Sequence, residues 1–205
     1  MAAEAVGRDG RAIGVDRRRI EPVESGGASV ETIQGDLTEE DTIDRLVDSV
    51  GGDADVVLSD MAPNMTGDYD LDHARSIHLA TIAADVATAV LAPGGSLVVK
   101  VFEGRDLADF RSDLETDYSF VATARPPATR DASSEVYLVC KGRLTAPVSV
   151  GEQLTVEIID TGSEGDGIAK VDGFTIFVDS VEAGDEVTIE ITDVKPRFAF
   201  ASPVG

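Results

Sequence analysis

A chain of 205 residues, 42% of them hydrophobic, is long enough to bury a real core, which excludes intrinsic disorder as the starting point. The formal net charge of −22 is scattered rather than gathered into a tail, in the style of proteins from salt-accumulating cells, and this argues against a simple polyanion binder. It does not exclude nucleic acid, because at molar salt the Debye length falls to about 3 Å and contacts from a few Arg and Lys survive. No apolar run is long enough to span a bilayer, and MAAEAVGRDG lacks the charged-then-apolar order of a signal peptide. The expectation is a cytoplasmic protein with no membrane partner. The single cysteine, Cys140, sits in the apolar run VYLVC and reads as a small core residue.

From Ala12 onward, β-branched runs alternate with helical patterns. AIGVD, VETIQGD, DVVLSD, GSLVVKVF, FVATAR and SEVYLVCK are short and bounded by Gly, Pro, Asp or Ser, as strands are. Between them, Glu39 to Val50 and Asp72 to Leu91 repeat apolar residues at helical spacing, and a weaker helix is expected over Asp106 to Thr116. The alternation predicts an α/β fold with a mostly parallel sheet covered on both faces. After Gly142 the pattern changes: RLTAPVSVGEQ reads as a linker, and beyond it come five short strands with no helix between them. That spacing predicts a small closed β-barrel, with the boundary near residue 145, so that residues 1–144 and 145–205 form separate domains.

Several of these runs deliver an ionisable side chain where a doubly wound sheet binds its ligand. SDMAPN with Asp60, VVKVF with Lys100 and SSEVY with Glu135 each read as the C-terminal end of a strand. Pro63 stops the strand after Asp60, and that turn aims Asp60 and Asn64 toward the crevice. Lys100 interrupts an otherwise apolar strand, so it needs partners, and Glu135 offers the opposite charge. Lys100 flanked by carboxylates can orient a hydroxyl or take its proton, and a purely structural ion pair fits the same pattern; the sequence leaves these readings open. Asp16 and Asp36 close the first two strands, where acidic residues accept hydrogen bonds from a nucleoside, although either alone is equally a capping or turn aspartate. His73 and His78 have no metal-ligand partner set, and Arg17-Arg18-Arg19 reads as solvating a helix just beyond it.

In their order and spacing, SDMAPNMTG, VVKVFEG and SSEVYLV resemble the signatures of the FtsJ-like ribosomal RNA 2′-O-methyltransferases, over about Gly10 to Lys141. Gly151 to Val204, with GSEGDGIAKVDGFTIFV, resembles a TRAM domain, a small OB-like RNA-binding barrel. The pairing is similar to the haloarchaeal form. The resemblance implies a Rossmann-like S-adenosylmethionine-dependent methyltransferase sheet. It implies methyl transfer to the 2′-hydroxyl of a uridine in large-subunit ribosomal RNA, free or in a ribosomal particle, with no DNA partner. Asp60, Lys100 and Glu135 match three members of the family's catalytic Lys-Asp-Lys-Glu group, with Lys100 acting on the hydroxyl. Asp16, Asp36 and Asp60 match cofactor-binding positions, Asp16 for the ribose and Asp36 for the adenine. The family's first catalytic lysine, its first strand and its glycine-rich cofactor turn have no counterpart here, and Met1 to Val6 resembles the remnant of the helix after that turn. The expectation is a truncated gene model or fragment, inactive alone, with two strands facing an unfilled gap in the sheet. An RNA-binding protein without catalysis, using Lys170, Lys195, Arg197, Phe174 and Phe198, and a small-molecule methyltransferase are the rival readings, the second disfavoured by the barrel.

Overall fold

The computed structural model describes residues 2–22, 27–51, 54–126, 134–162 and 165–204. Ser133 of the SSEVY run, and Ser163 and Glu164 of the GSEGDG stretch, lie outside the described residues. In chain order the first part holds α1 (Ala2–Ala5), β1 (Arg11–Asp16), β2 (Ser29–Gln34), α2 (Glu40–Val50), β3 (Ala54–Ser59), α3 (Tyr69–Val90), β4 (Leu91–Phe102), α4 (Leu107–Asp117), β5 (Tyr118–Ala124) and β6 (Glu135–Arg143). Local chemistry sets the helix ends. Glu40 and Asp41 place negative charge in the first turn of α2, and Gly51 ends it at φ 77°, its N–H donating to the Val47 carbonyl. Asp68 caps α3 by accepting from the Leu71 amide, which starts that helix at Tyr69, three residues before the expected Asp72.

Four strands form one sheet in the order β3-β4-β6-β5, with β3 parallel to β4 and β6 antiparallel to both β4 and β5. One face of it is closed by helices: Leu97, Val99 and Val101 of β4 and Val136, Leu138 and Cys140 of β6 pack against Ala80, Ala83 and Ala87 of α3 and Phe110 and Leu114 of α4. The alanines let α3 approach the sheet closely. Cys140 is a fully buried core residue, as its apolar run predicts. The opposite face is different: Val56, Leu58 and Phe120 are 53%, 65% and 53% exposed.

The expected mostly parallel, doubly covered sheet therefore differs at β6, the one strand running against β3, β4 and β5, and at the uncovered face over Val56 and Leu58. Strand β6 pairs in the antiparallel sense because so few residues separate the end of β5 at Ala124 from Glu135, fewer than the dozen or more a parallel crossover needs. The expected gap is present: β1 and β2 form a separate parallel pair, with β1 not hydrogen-bonded to β3. The two pieces meet through side chains: Ile13, Val15 and Ile33 of the pair share a cluster with Leu46 of α2, Val86 and Val90 of α3 and Val57 of β3. No helix succeeds Arg17-Arg18-Arg19 directly; Arg17 instead pairs with Asp36 at 3.2 Å.

Beyond Arg143, six strands form the C-terminal sheet: β7 (Gln153–Glu157), β8 (Asp160–Thr161), β9 (Gly167–Val171), β10 (Phe174–Val178), β11 (Glu186–Val194) and β12 (Phe198–Pro203). Their order is β7-β11-β12-β10-β9-β8, so the first and last strands are neighbours in the chain, joined through Ile158 and Ile159, and the sheet closes on itself. The expected first strand is thus two, broken where Ile158 turns into the core beside Ile176, Ile189 and Ile191. A two-residue Asp172-Gly173 turn, both with positive φ, joins β9 to β10, the hairpin geometry such a pair favours. The β11–β12 turn sits against the start of β4, where Pro93, Gly94, Pro196, Arg197 and Phe198 line a cleft of about 450 Å³.

Candidate active site

Lys100 is on β4, two residues before the strand ends, and its side chain is only 9% exposed. Burying an ammonium among Val and Leu is costly unless carboxylates meet it. They do: its Nζ lies 2.9 Å from Asp60 Oδ1 and 4.0 Å from Glu135 Oε1. Asp60 comes directly after the last residue of β3, parallel to β4, while Glu135 is the first residue of β6 and pairs with Phe102. Glu135 therefore reaches the same edge of the sheet from the start of a strand rather than from its C-terminal end, because β6 runs the other way. Asn64 lies exposed on the loop beyond Asp60.

Tyr137 completes the cluster, its hydroxyl donating to Asp60 Oδ1 at 2.9 Å. It stands opposite Lys100 in the β4–β6 register, on the same face as Glu135 by the two-residue period of a strand. Partial burial pushes the Asp60 carboxyl up, but hydrogen bonds from Lys100 and Tyr137 outweigh that and hold it below the usual carboxylate range. Accepting that bond, Asp60 in turn pushes the Tyr137 hydroxyl up. The arrangement is an ammonium rooted in the sheet, with an anionic oxygen beside it whose side chain is 75% exposed. Such a group can orient a hydroxyl and stabilise neighbouring positive charge.

Asp16 and Asp36 stand elsewhere. They cap the ends of β1 and β2, near each other but linked to Asp60, Lys100 or Glu135 by no hydrogen bond or ion pair among the described residues. Asp16 is exposed and accepts from the Arg18 amide at 2.7 Å. Asp36 is half-buried and engaged: Thr38 donates to one oxygen through its amide and hydroxyl, and Arg17 lies 3.2 Å from the other. The Thr38 amide is the main reason the Asp36 carboxyl is held below its usual range.

Sequence reasoning gave no role to Tyr137 or to Asp72 of α3, and read its neighbour His73 only as a residue without metal-ligand partners; both α3 residues are buried. The signal for Tyr137 was present, since its position two beyond Glu135 puts both on one face. Asp72 and His73 gave none, because acidic and imidazole side chains in a first helical turn look solvated until the tertiary fold covers them.

Comparison with known proteins agrees with this geometry. Residues 1–143 match the FtsJ-like methyltransferase family and residues 147–204 match the TRAM domain. The chain belongs to the FtsJ-like methyltransferase family, with a TRAM domain at its C-terminal end. It is 55% identical over 205 residues to the ribosomal RNA large subunit methyltransferase E of Haloquadratum walsbyi, covering all of this chain and 79% of that protein. Against the protein of the same description from Natronomonas pharaonis it is 54% identical over 201 residues, covering 98% of this chain and 78% of that one. Among solved structures, a putative ribosomal RNA methyltransferase from Plasmodium falciparum superposes with a TM-score of 0.54 at 25% identity, over 64% of this chain and 71% of that one.

Membership of this family makes S-adenosylmethionine the methyl donor. The donor set suits it in part. The exposed anionic oxygens of Asp16 and Asp60 suit hydroxyls and a sulfonium cation respectively, whereas Asp36 must share its oxygens with Thr38 and Arg17. None of the described helices is long and apolar enough to cross a membrane.

Proposed function

We propose that the chain methylates the 2′-hydroxyl of a uridine ribose in large-subunit ribosomal RNA, with residues 1–144 carrying the transfer and 145–205 holding RNA. The observation that carries this reading is the buried Lys100 ammonium, 2.9 Å from Asp60 and 4.0 Å from Glu135 at one edge of the sheet. When bound, S-adenosylmethionine supplies an electrophilic methyl on a sulfonium. The protein's task is then positioning and electrostatics. Lys100 contacts the 2′-oxygen and orients it, Asp60 and Glu135 hold Lys100, and the charge of Asp60 favours the nearby cation. Asp16 accepts the cofactor's ribose hydroxyls and Asp36 its adenine amino group.

The barrel offers what single-stranded RNA needs. Phe177, Phe198 and Phe200 form an edge-to-face and tilted trio with centroids 5.4–5.9 Å apart, Phe200 is 37% exposed, and Lys170 and Arg197 are exposed nearby. This surface also supports the rival reading, an RNA-binding protein without catalysis. The separation of β1 from β3 leaves Asp16 and Asp36 apart from Asp60, so these 205 residues alone are expected to hold cofactor weakly.

The test is methyl transfer to ribosomal RNA in molar salt, using this chain and an N-terminally extended version. In whichever version is active, Lys100→Ala should lower the rate by about 10²–10⁴-fold, the range of a positioned acid–base group, with RNA binding unchanged. Full activity in Lys100→Ala removes the assignment. RNA binding without cofactor binding in both versions makes the rival reading the better one.

A further inference from the structure

Among the described residues, the buried polar or charged side chains are Thr42, Asp72, His73, Ser76 and Lys100. Three of these five sit within one stretch of α3, where burial is tolerable only if each is hydrogen-bonded. The Asp72 carboxylate accepts from the Thr66 amide at 2.9 Å, the Thr66 hydroxyl at 2.8 Å and the Gly67 amide at 3.0 Å. Those bonds, the Thr66 amide foremost, hold its carboxyl below the usual range. His73 faces the other way: Nδ1 lies 3.0 Å from the Phe102 carbonyl, and Nε2 accepts from the Asp106 amide at 3.2 Å. Ser76 Oγ accepts from the Phe102 amide at 2.9 Å.

The partners fix the imidazole. A carbonyl can only accept, so Nδ1 donates to Phe102, while Nε2 lies 3.2 Å from the Asp106 amide and 3.4 Å from its carboxylate, so both ring nitrogens are partnered. Gly104 closes over the ring, and a Cβ at that position would overlap His73 Nδ1 and Cγ. Tyr69, from the first turn of the same helix, donates to the Glu103 carbonyl at 2.6 Å.

Adjacent residues of one helix thus hold two separate segments. Asp72 anchors the far end of the irregular loop that begins at Asp60, and His73 and Ser76 anchor the end of the strand that carries Lys100. We infer that His73 is a positioning residue, and that Asp72, His73 and Ser76 together form a clamp that sets the spacing between Asp60 and Lys100. The kinetic consequence rests on the methyl-transfer reading above; the mechanical one does not. Neither segment has strand pairing on both sides where it leaves the sheet, so α3 supplies the common reference, and a shift of about 1 Å in such a site can cost about 10²-fold in rate.

The experiment compares the full chain with its His73→Leu, His73→Asn and Gly104→Ala variants by amide hydrogen exchange and by methyl-transfer kinetics. His73→Leu removes both ring contacts; His73→Asn keeps a donor at the Nδ1 position; Gly104→Ala presses on the ring without removing a polar group. In His73→Leu, exchange should rise at least about tenfold in residues 102–106 and also in the loop 61–67, because the two share one anchor. Its kcat should fall about 10- to 100-fold with both KM values within about twofold, and His73→Asn should recover most of that loss. Gly104→Ala should move exchange and kcat in the same direction, which keeps the test open if His73→Leu does not fold. Unchanged exchange in residues 102–106 overturns the clamp, as does a rise confined to 102–106, or an intact kcat in folded His73→Leu. If neither this chain nor its extended version transfers a methyl group, the methyl-transfer reading fails instead, and the exchange measurements still decide the clamp.

Discussion

The β4–β6 centre of the sheet and the β1–β2 pair carry the two halves of one expected site, yet they are built differently. Around β4 and β6, strands pair on both sides and two helices close one face. The side chains at their ends consequently meet: Asp60, Lys100, Glu135 and Tyr137 lie in one cluster. Among the described residues the β1–β2 pair meets β3 and α3 through a shared apolar cluster and α2 also through hydrogen bonds of Arg11 and Glu31 with Ser49, while Asp16 and Asp36 are satisfied locally by Arg18, Thr38 and Arg17. The half proposed to react is pre-organised by backbone pairing; the half proposed to hold the nucleoside is joined to it by side chains alone among the described residues. The open face over Val56 and Leu58 belongs to the same difference, since both lie on β3, the strand at the divide.

The largest effect expected within this comparison is on stability. Leu97 is completely buried beneath α3, and Leu97→Ala should lower the unfolding free energy by about 2–5 kcal/mol. Leu58 is 65% exposed, and Leu58→Ala should change it by less than about 0.5 kcal/mol. Denaturant melts of the two variants check this, and a large loss in Leu58→Ala would mean that the face over β3 is covered in solution.

A smaller effect separates the two halves by function. Asp16→Asn should weaken cofactor binding about tenfold, the worth of one hydrogen bond to a charged acceptor, and leave the saturated rate of transfer almost unchanged. Calorimetric titration with S-adenosylmethionine, set beside saturating kinetics, reads both quantities. A fall in the saturated rate with intact affinity would show that Asp16 acts on the reacting centre and that the halves are less separate than drawn.

The smallest effect is a pH dependence. The Asp60 carboxyl is held below its ordinary value in the folded protein, so its contribution is fully present above about pH 4 and disappears as pH falls through the folded-state value. Acid also relieves the repulsion of a chain carrying −22, so the useful quantity is a difference between variants. From pH 5 to pH 3, Asp60→Asn should lose less melting temperature than the wild-type chain. Equal losses would mean that Lys100 and Tyr137 do not stabilise the ionised carboxylate.

Much of the reacting half was legible in the sequence. A lysine inside LVVKVF cannot be explained by a buried strand alone, and Pro63 just after Asp60 marks where the neighbouring strand must stop. The helix ends were less legible. Asp68 starts α3 before its apolar repeat begins, so the periodic pattern misplaced the start by a turn. The direction of β6 was not legible, because alternation along SEVYLVCK is the same whichever way the strand runs. Asp72 and His73 look like ordinary polar residues of a first turn until the loop after Asp60 and the turn at Gly104 fold over them.

The sequence by itself determined the element types, the helix-covered apolar positions and the residue types gathered at the sheet edge. These come from local periodicity and from the cost of a lone charge in an apolar strand. Only the tertiary structure decided which strands pair. It set β6 antiparallel, joined Tyr137 to Asp60, and made one helix hold both segments of the site. Pairing depends on contacts between residues far apart in the chain, and no local pattern encodes their direction or partner.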